Sequence, residues 1–325
     1  MSANQDPKTS KPRKRKFRKW IRRILYSLLA LLMLLAMGVW YYYPGASVAR
    51  EKTDIPFTFD RDIIMIQGML NGSGPYNFVL DTGTDPSVVD LSLSKEIALF
   101  HVSLGDQDVG EDQLVSIEVP TPLKLKVGDL PASRKMFLAL DLTEISDKLG
   151  TPVHGILGYN FIRDNILQIK YSERTLSFFP FGEGPQNTNA PGMPIEFIDD
   201  GTFPVLDDVI VNGKPVRISL DTGSNKTLTL FTAGVAHVGL NEALENAALI
   251  ESVGFGGADE SKVVDSISVA VGDHTPRSMT IYCDVFSQKS KVPLSTRGGN
   301  MGNKIFQHFT VTFDYEKKRV WFDAN

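Results

Sequence analysis

The tripeptide Asp-Thr-Gly occurs twice in this 325-residue chain, at Asp81-Thr82-Gly83 and at Asp221-Thr222-Gly223. Each copy follows an apolar β-type run, Tyr76 to Leu80 or Val216 to Leu220, and each is followed by a hydroxyl residue, Thr84 or Ser224. A lone Asp-X-Gly is a common turn and carries little weight. Two copies in matching settings point instead to one paired site, in which two carboxylates do acid–base work. Other chemistries have little support. The five histidines, His101, His154, His237, His274 and His308, are scattered without metal-ligand spacing. No Gly-X-Ser-X-Gly elbow, Walker loop or dinucleotide fingerprint is present, so neither a metal nor a cofactor is expected.

If the two aspartates belong to duplicated halves, other features must recur at a similar separation. Upstream, Asn71-Gly72-Ser73-Gly74-Pro75 corresponds to Asn212-Gly213-Lys214-Pro215, a hairpin-type turn feeding the strand that ends in the aspartate. Downstream, Leu125 to Asp129 matches Val269 to Asp273, and Gly155-Ile156-Leu157-Gly158 matches Gly299-Asn300-Met301-Gly302. The tails agree best. Ile166 to Tyr171 aligns with Thr310 to Tyr315, then polar turns lead into the final strands Leu176 to Phe179 and Val320 to Phe322. Between the halves, 181–192 reads as a breaker-rich linker. Helices are expected to be short, with candidates at Ser92 to Phe100 and Asn241 to Leu249.

The net charge of -4 conceals a sharp division. Residues 1–23 carry ten Lys and Arg against the single acid Asp6, so the remainder is strongly acidic. Residues 24–43 form an uncharged run of 20, about the length a helix needs to cross roughly 30 Å of hydrocarbon, with Trp20 and the cluster Trp40 to Tyr43 at its two ends. The basic segment beside it predicts a cytoplasmic N-terminus and an extracytoplasmic remainder rather than a nucleic-acid role. A competing expectation is signal cleavage after the small residues Ser47-Val48-Ala49, set against an apolar stretch longer than a usual signal core. Residues 44–52 read as a juxtamembrane linker. Cys283 is the single cysteine, so no intrachain disulfide is possible, and its apolar run suits buried packing. An exported domain without disulfides fits a bacterial inner-membrane protein facing the periplasm.

Two halves, at 53–180 and 193–325, each with strand, Asp-Thr-Gly-(Ser/Thr), a later apolar-apolar-Gly and a closing hairpin, resemble a pepsin/retropepsin-like aspartic protease. Bacterial retropepsin-like proteins with two fused lobes are the nearest likeness. The resemblance implies an all-β bilobal fold in which Asp81 and Asp221 meet across the lobe interface and hold a water between them. It implies that Thr82 and Thr222 bond across to the opposite loop, that Gly83 and Gly223 allow tight turns, and that Thr84 and Ser224 donate to the outer carboxylate oxygens. Two carboxylates about 3 Å apart cannot both ionise cheaply, so one keeps a proton and the other activates water.

The same resemblance makes Gly254-Phe255-Gly256-Gly257 a candidate flap, with Gly110 in the equivalent part of the first half. Two departures stand out. No tyrosine lies between Tyr76 and Tyr159, which removes a pepsin-type flap tyrosine. Asn300-Met301-Gly302 replaces the doubly apolar pair before glycine, so the support beneath Asp221 is expected to be looser or rearranged. The expected function is a membrane-anchored aspartic endopeptidase acting on a peptide or protein substrate as a monomeric two-lobe unit. The alternative is a catalytically silent peptide-binding module on the same fold.

Overall fold

The computed structural model describes residues 45–97, 101–108, 114–120, 122–185, 195–199, 203–254, 257–272, 274–284 and 292–324, together with 26, 28, 29 and 31–33. The basic segment 1–23 and most of 24–43 lie outside the described residues, as does much of the linker 181–192. Among the described residues no helix is long and apolar enough to cross a membrane. The chain divides into two units between Tyr43 and Pro44, and the second of them carries both aspartates.

Among the described residues this second unit is mostly β, in three sheets. A ten-stranded sheet is drawn from the first half and an eight-stranded sheet from the second, and a six-stranded sheet takes strands from both. The hairpin signals form as written. Ile63–Leu70 and Ser73–Leu80 are joined by Asn71-Gly72 with φ of 51° and 92°, and Pro204–Val211 and Lys214–Leu220 by Asn212-Gly213 with φ of 49° and 77°. Positive φ at both central residues matches the right-handed twist of the flanking strands, which is why Asn-Gly serves here. Period-2 alternation sets the faces. In Leu123–Val127 the three apolar side chains are buried and the lysines point outward.

The shared sheet ties the halves together. Ile166–Lys170 pairs antiparallel with Phe309–Asp314, Gln168 lying opposite Thr312, Ile166 opposite Asp314 and Lys170 opposite Thr310. Gln168 and Thr312 are 144 positions apart, the offset of the repeat itself, so the duplicated strands cross on an approximate twofold axis. At that crossing Gln168 Nε2 donates to Thr312 Oγ1 at 3.1 Å. Fully buried Phe78, Phe137, Phe161, Phe178, Phe306 and Phe313 fill the core, each contributing about 1.5–3 kcal/mol by burial. Cys283 is buried in the strand Arg277–Asp284, and burial pushes its thiol up to about 12, which suits packing rather than nucleophilic chemistry.

Three expectations need correction. Residues 45–49 do not form a free linker. Ser47 and Ala49 are buried, with Ser47 N–H donating to Asp164 Oδ2 at 2.9 Å and Ala49 N–H to Asn165 Oδ1 at 2.7 Å. Backbone groups that find such partners stay ordered against the fold. The helix at 241–249 stops early, as Asn241–Glu245, because Leu249 and Ile250 pair with Lys262 and Ser261 in a strand. The segment from Ser92 forms only a short 3₁₀ turn, Leu91–Ser94, before the chain leaves the described residues after 97. Strand pairing and packing override weak local helix propensity in such short runs.

Candidate active site

Ser73–Leu80 and Lys214–Leu220 deliver the two aspartates, and each is braced from below by a short parallel strand. Gly155–Leu157 runs beside the first, Gly299–Met301 beside the second. Asp81 N–H donates to Leu157 O at 3.0 Å and Asp221 N–H to Met301 O at 2.9 Å. The brace beneath Asp221 is therefore as tight as its counterpart. The backbone of Asn300-Met301 supplies the same bonds as Ile156-Leu157, so the expected loosening does not occur.

The threonines interlock. Thr82 Oγ1 donates to Leu220 O at 2.7 Å and accepts from Thr222 N–H at 3.0 Å. Reciprocally, Thr222 Oγ1 donates to Leu80 O at 2.9 Å and accepts from Thr82 N–H at 3.0 Å. Both side chains are fully buried, where leaving a partner unsatisfied costs about 1–3 kcal/mol. This grip brings the two loops face to face. A methyl group at Gly83 would lie 3.0 Å from Asp221 Cγ, and one at Gly223 only 2.5 Å from Asp81 Cγ. Only glycine lets each backbone pass this close to the opposite carboxyl group.

The two aspartates have different surroundings. Asp81 is 8 % exposed; its Oδ1 accepts from Gly83 N–H at 2.6 Å and its Oδ2 from the Thr84 hydroxyl at 2.5 Å. Burial pushes its carboxyl up to about 7, the nearby charge of Asp221 adding to the rise and the Thr84 and Gly83 donors opposing it. Asp221 is less deeply buried. Its Oδ1 accepts from Gly223 N–H at 2.9 Å, while its Oδ2 accepts from Asn300 Nδ2 at 2.7 Å.

Ser224 does not fill the role expected of it. Its hydroxyl accepts from Lys226 N–H at 3.4 Å, and the Asn300 amide takes the place at the outer oxygen. The sequence marked Asn300 as a departure from the repeat but carried no sign that its side chain reaches the aspartate. Asn303 has no signal in the repeat pattern. Fully buried, it donates to Thr222 O at 2.6 Å and to Asp62 O at 2.8 Å and accepts from the Tyr171 hydroxyl at 2.6 Å. It thereby joins the second aspartate loop to the first half.

The candidate flap lies on a hairpin. Ala248–Gly254 pairs with Gly257–Val271, Gly254 standing opposite Gly257, and Ala248–Gly254 is the edge strand of its sheet. Phe255 and Gly256 at the tip lie outside the described residues. In the first half, His101–Asp108 and Leu114–Pro120 form the corresponding hairpin at the other sheet's edge, and Gly110 also lies outside the described residues.

The arrangement places two carboxyl groups together, with burial and the neighbouring carboxylate raising one of them to about 7. Comparison with known protein families and with curated proteins finds no match.

Proposed function

We propose that this chain is an aspartic endopeptidase of the pepsin/retropepsin type, anchored by residues 24–43 with its protease unit outside the cytoplasm. The observation that carries the reading is the pair Asp81 and Asp221, brought together on two loops locked by reciprocal threonine bonds, with burial and the neighbouring carboxylate raising Asp81. Asp221 acts as the charged base. It takes a proton from a water as the water oxygen attacks the peptide carbonyl carbon, and Asp81 gives its proton to the carbonyl oxygen. Collapse of the tetrahedral diol breaks the C–N bond as Asp221 passes its newly gained proton to the leaving amine and Asp81 takes back a proton from a diol hydroxyl, which restores the starting state. The edge hairpins suit a substrate that joins as an extended strand. The basic segment 1–23 supports a cytoplasmic N-terminus.

The test is cleavage of a mixed peptide library by the full chain in lipid nanodiscs across pH. Hydrolysis is expected to be faster at acidic than at alkaline pH, falling as pH rises through about 7, where Asp81 loses its proton. A rate still climbing above about pH 9 contradicts the shared-proton mechanism. Binding without cleavage at any pH would support the silent peptide-binding module instead.

Asn300 supplies a second expectation. Its amide donates to Asp221 Oδ2 at 2.7 Å and fixes the orientation of that carboxyl group. Asn300→Leu restores the apolar pair found in the first half and leaves the backbone brace intact, yet should lower kcat by about 10- to 100-fold, the cost of losing one aligned polar group at a reacting centre. Unchanged kcat with a folded chain would mean that the amide contact is only structural.

A further inference from the structure

The second half holds a cavity of about 320 Å³ between the strand Gly257–Val271, the strand Arg277–Asp284 and the short helix Asn303–Phe306. Its inner wall is apolar, with Val271, Met301, Ile305 and Phe322 among the lining residues. Its remaining wall carries His274, Arg277, Lys304 and His308. No aspartate or glutamate lines it among the described residues. Asp62 is 3.9 Å from Lys304, and burial raises the carboxyl group of Asp323 above the ordinary aspartate range.

The polar wall is held in place by aromatic contacts. The Arg277 guanidinium lies 5.8 Å from the Phe309 ring centre, and the His274 ring meets Phe309 edge-on at 5.6 Å. Lys304 Nζ reaches the Tyr282 hydroxyl at 3.4 Å. Two fixed positive charges and two imidazoles thus border one apolar recess. A ligand that fills it gains by burying hydrocarbon, and an anionic group on that ligand gains again by facing the cations. The volume is at the low end of small-molecule sites, about 300–1,000 Å³, which admits a short tail rather than a polypeptide segment.

We propose that this cavity binds an amphiphilic monoanion: a carboxylate or phosphate head on a short acyl or alkyl tail. The head lies between Arg277 and Lys304 and the tail runs inward toward Met301 and Ile305. Met301 also carries the carbonyl that braces Asp221, so the site backs onto the aspartate loop. Binding here stands whether or not the aspartates hydrolyse peptides.

The test uses the full chain in nanodiscs of zwitterionic lipid, photolabelled with a diazirine derivative of octanoate and mapped by mass spectrometry. Labelling is expected in the peptides spanning 269–279 and 301–309. Octanoate and octyl phosphate should displace the label at concentrations at least about tenfold below those needed for octanol or octylamine, because only the anions gain from the charged wall. The double variant Arg277→Glu, Lys304→Glu should lose affinity by at least about tenfold. Ser278→Trp, at the exposed mouth, should block labelling without altering the core, and covers the case in which the double variant does not fold.

Labelling elsewhere, labelling unchanged by either variant in folded protein, or octylamine competing as well as octanoate would each overturn the proposal. Nanodiscs containing an anionic phospholipid separate the two sources of such a head. Displacement of the label by that lipid assigns a membrane headgroup, and retained labelling assigns a free acid.

Discussion

Asp81→Asn and Asp221→Asn should each lower peptide hydrolysis by about 10³-fold or more, and the double variant should be no slower than the slower single one. Groups that act as one acid–base unit are lost together, so their effects do not add. Under the proposed mechanism, Asp81→Asn removes the proton donor and Asp221→Asn the base. Neither change empties space. The Thr84 hydroxyl that donates to Asp81 Oδ2 can turn to accept from an amide placed there, so the fold should persist.

A second readout separates the chemistry from damage to the structure. The carboxyl group of Asp81 is raised from the ordinary aspartate range to about 7. Its contribution to stability is fully present below about pH 4, declines as the unfolded chain ionises first, and is lost once pH passes about 7. Asp81→Asn should abolish this fall. Measured by thermal unfolding, the variant should gain on the parent chain as pH rises from about 4 to 7 and keep a constant lead above that. Loss of activity without this change in pH profile would contradict a raised Asp81. Wild-type hydrolysis by either single variant would defeat the paired mechanism itself.

Gly223→Ala should be nearly as damaging to turnover while leaving every acid–base group in place. Its new methyl would sit 2.5 Å from Asp81 Cγ and 2.6 Å from Oδ2. Asp81 cannot retreat, because Gly83 N–H and the Thr84 hydroxyl hold both of its oxygens. The loops must then part, against the four threonine bonds that draw them together. A displacement of about 1 Å at a reacting centre costs about 10²-fold in rate, and overpacking of this kind costs about 1–3 kcal/mol of stability.

Gly83→Ala provides the internal control. Its methyl would approach Asp221 Cγ and Oδ1 to 3.0 Å, and Asp221 is the less buried of the two. That side chain has more room to yield, so this variant should lose less activity and less stability than Gly223→Ala. Equal effects, or near-normal turnover in Gly223→Ala, would show that the close approach of loop and carboxyl group does not govern the geometry of the pair.

Much of the architecture is legible in local chemistry. Asn71-Gly72 and Asn212-Gly213 announce tight hairpins because few other pairs take positive φ twice in succession. Leu123–Val127 declares its inward face by alternation. The repeat spacing marked Gly155 to Gly158 and Gly299 to Gly302 as equivalent, and both copies form the brace beside their aspartate, because a duplicated chain folds each copy into the same local path; that Ile166–Lys170 and Phe309–Asp314 pair with each other emerges only in the packed chain. The short helices were harder to read. At Leu249 and Ile250 the outcome is set by a partner strand about a dozen residues further on, beyond the reach of local propensity.

Two equivalent carboxylates ending two equivalent strands follow from local pattern alone, since backbone period and turn chemistry act over a few residues and each copy carries its own instructions. The difference between the two aspartates arises in the packed chain. Asp81 is sealed and Asp221 more open, a distinction made by segments remote in sequence. Asn300, 79 positions from Asp221, takes the place expected of Ser224, and Asn303 reaches Asp62 across 241 positions. Burial and long-range hydrogen bonding belong to the packed chain as a whole, and those are the forces that set a carboxyl group's proton affinity.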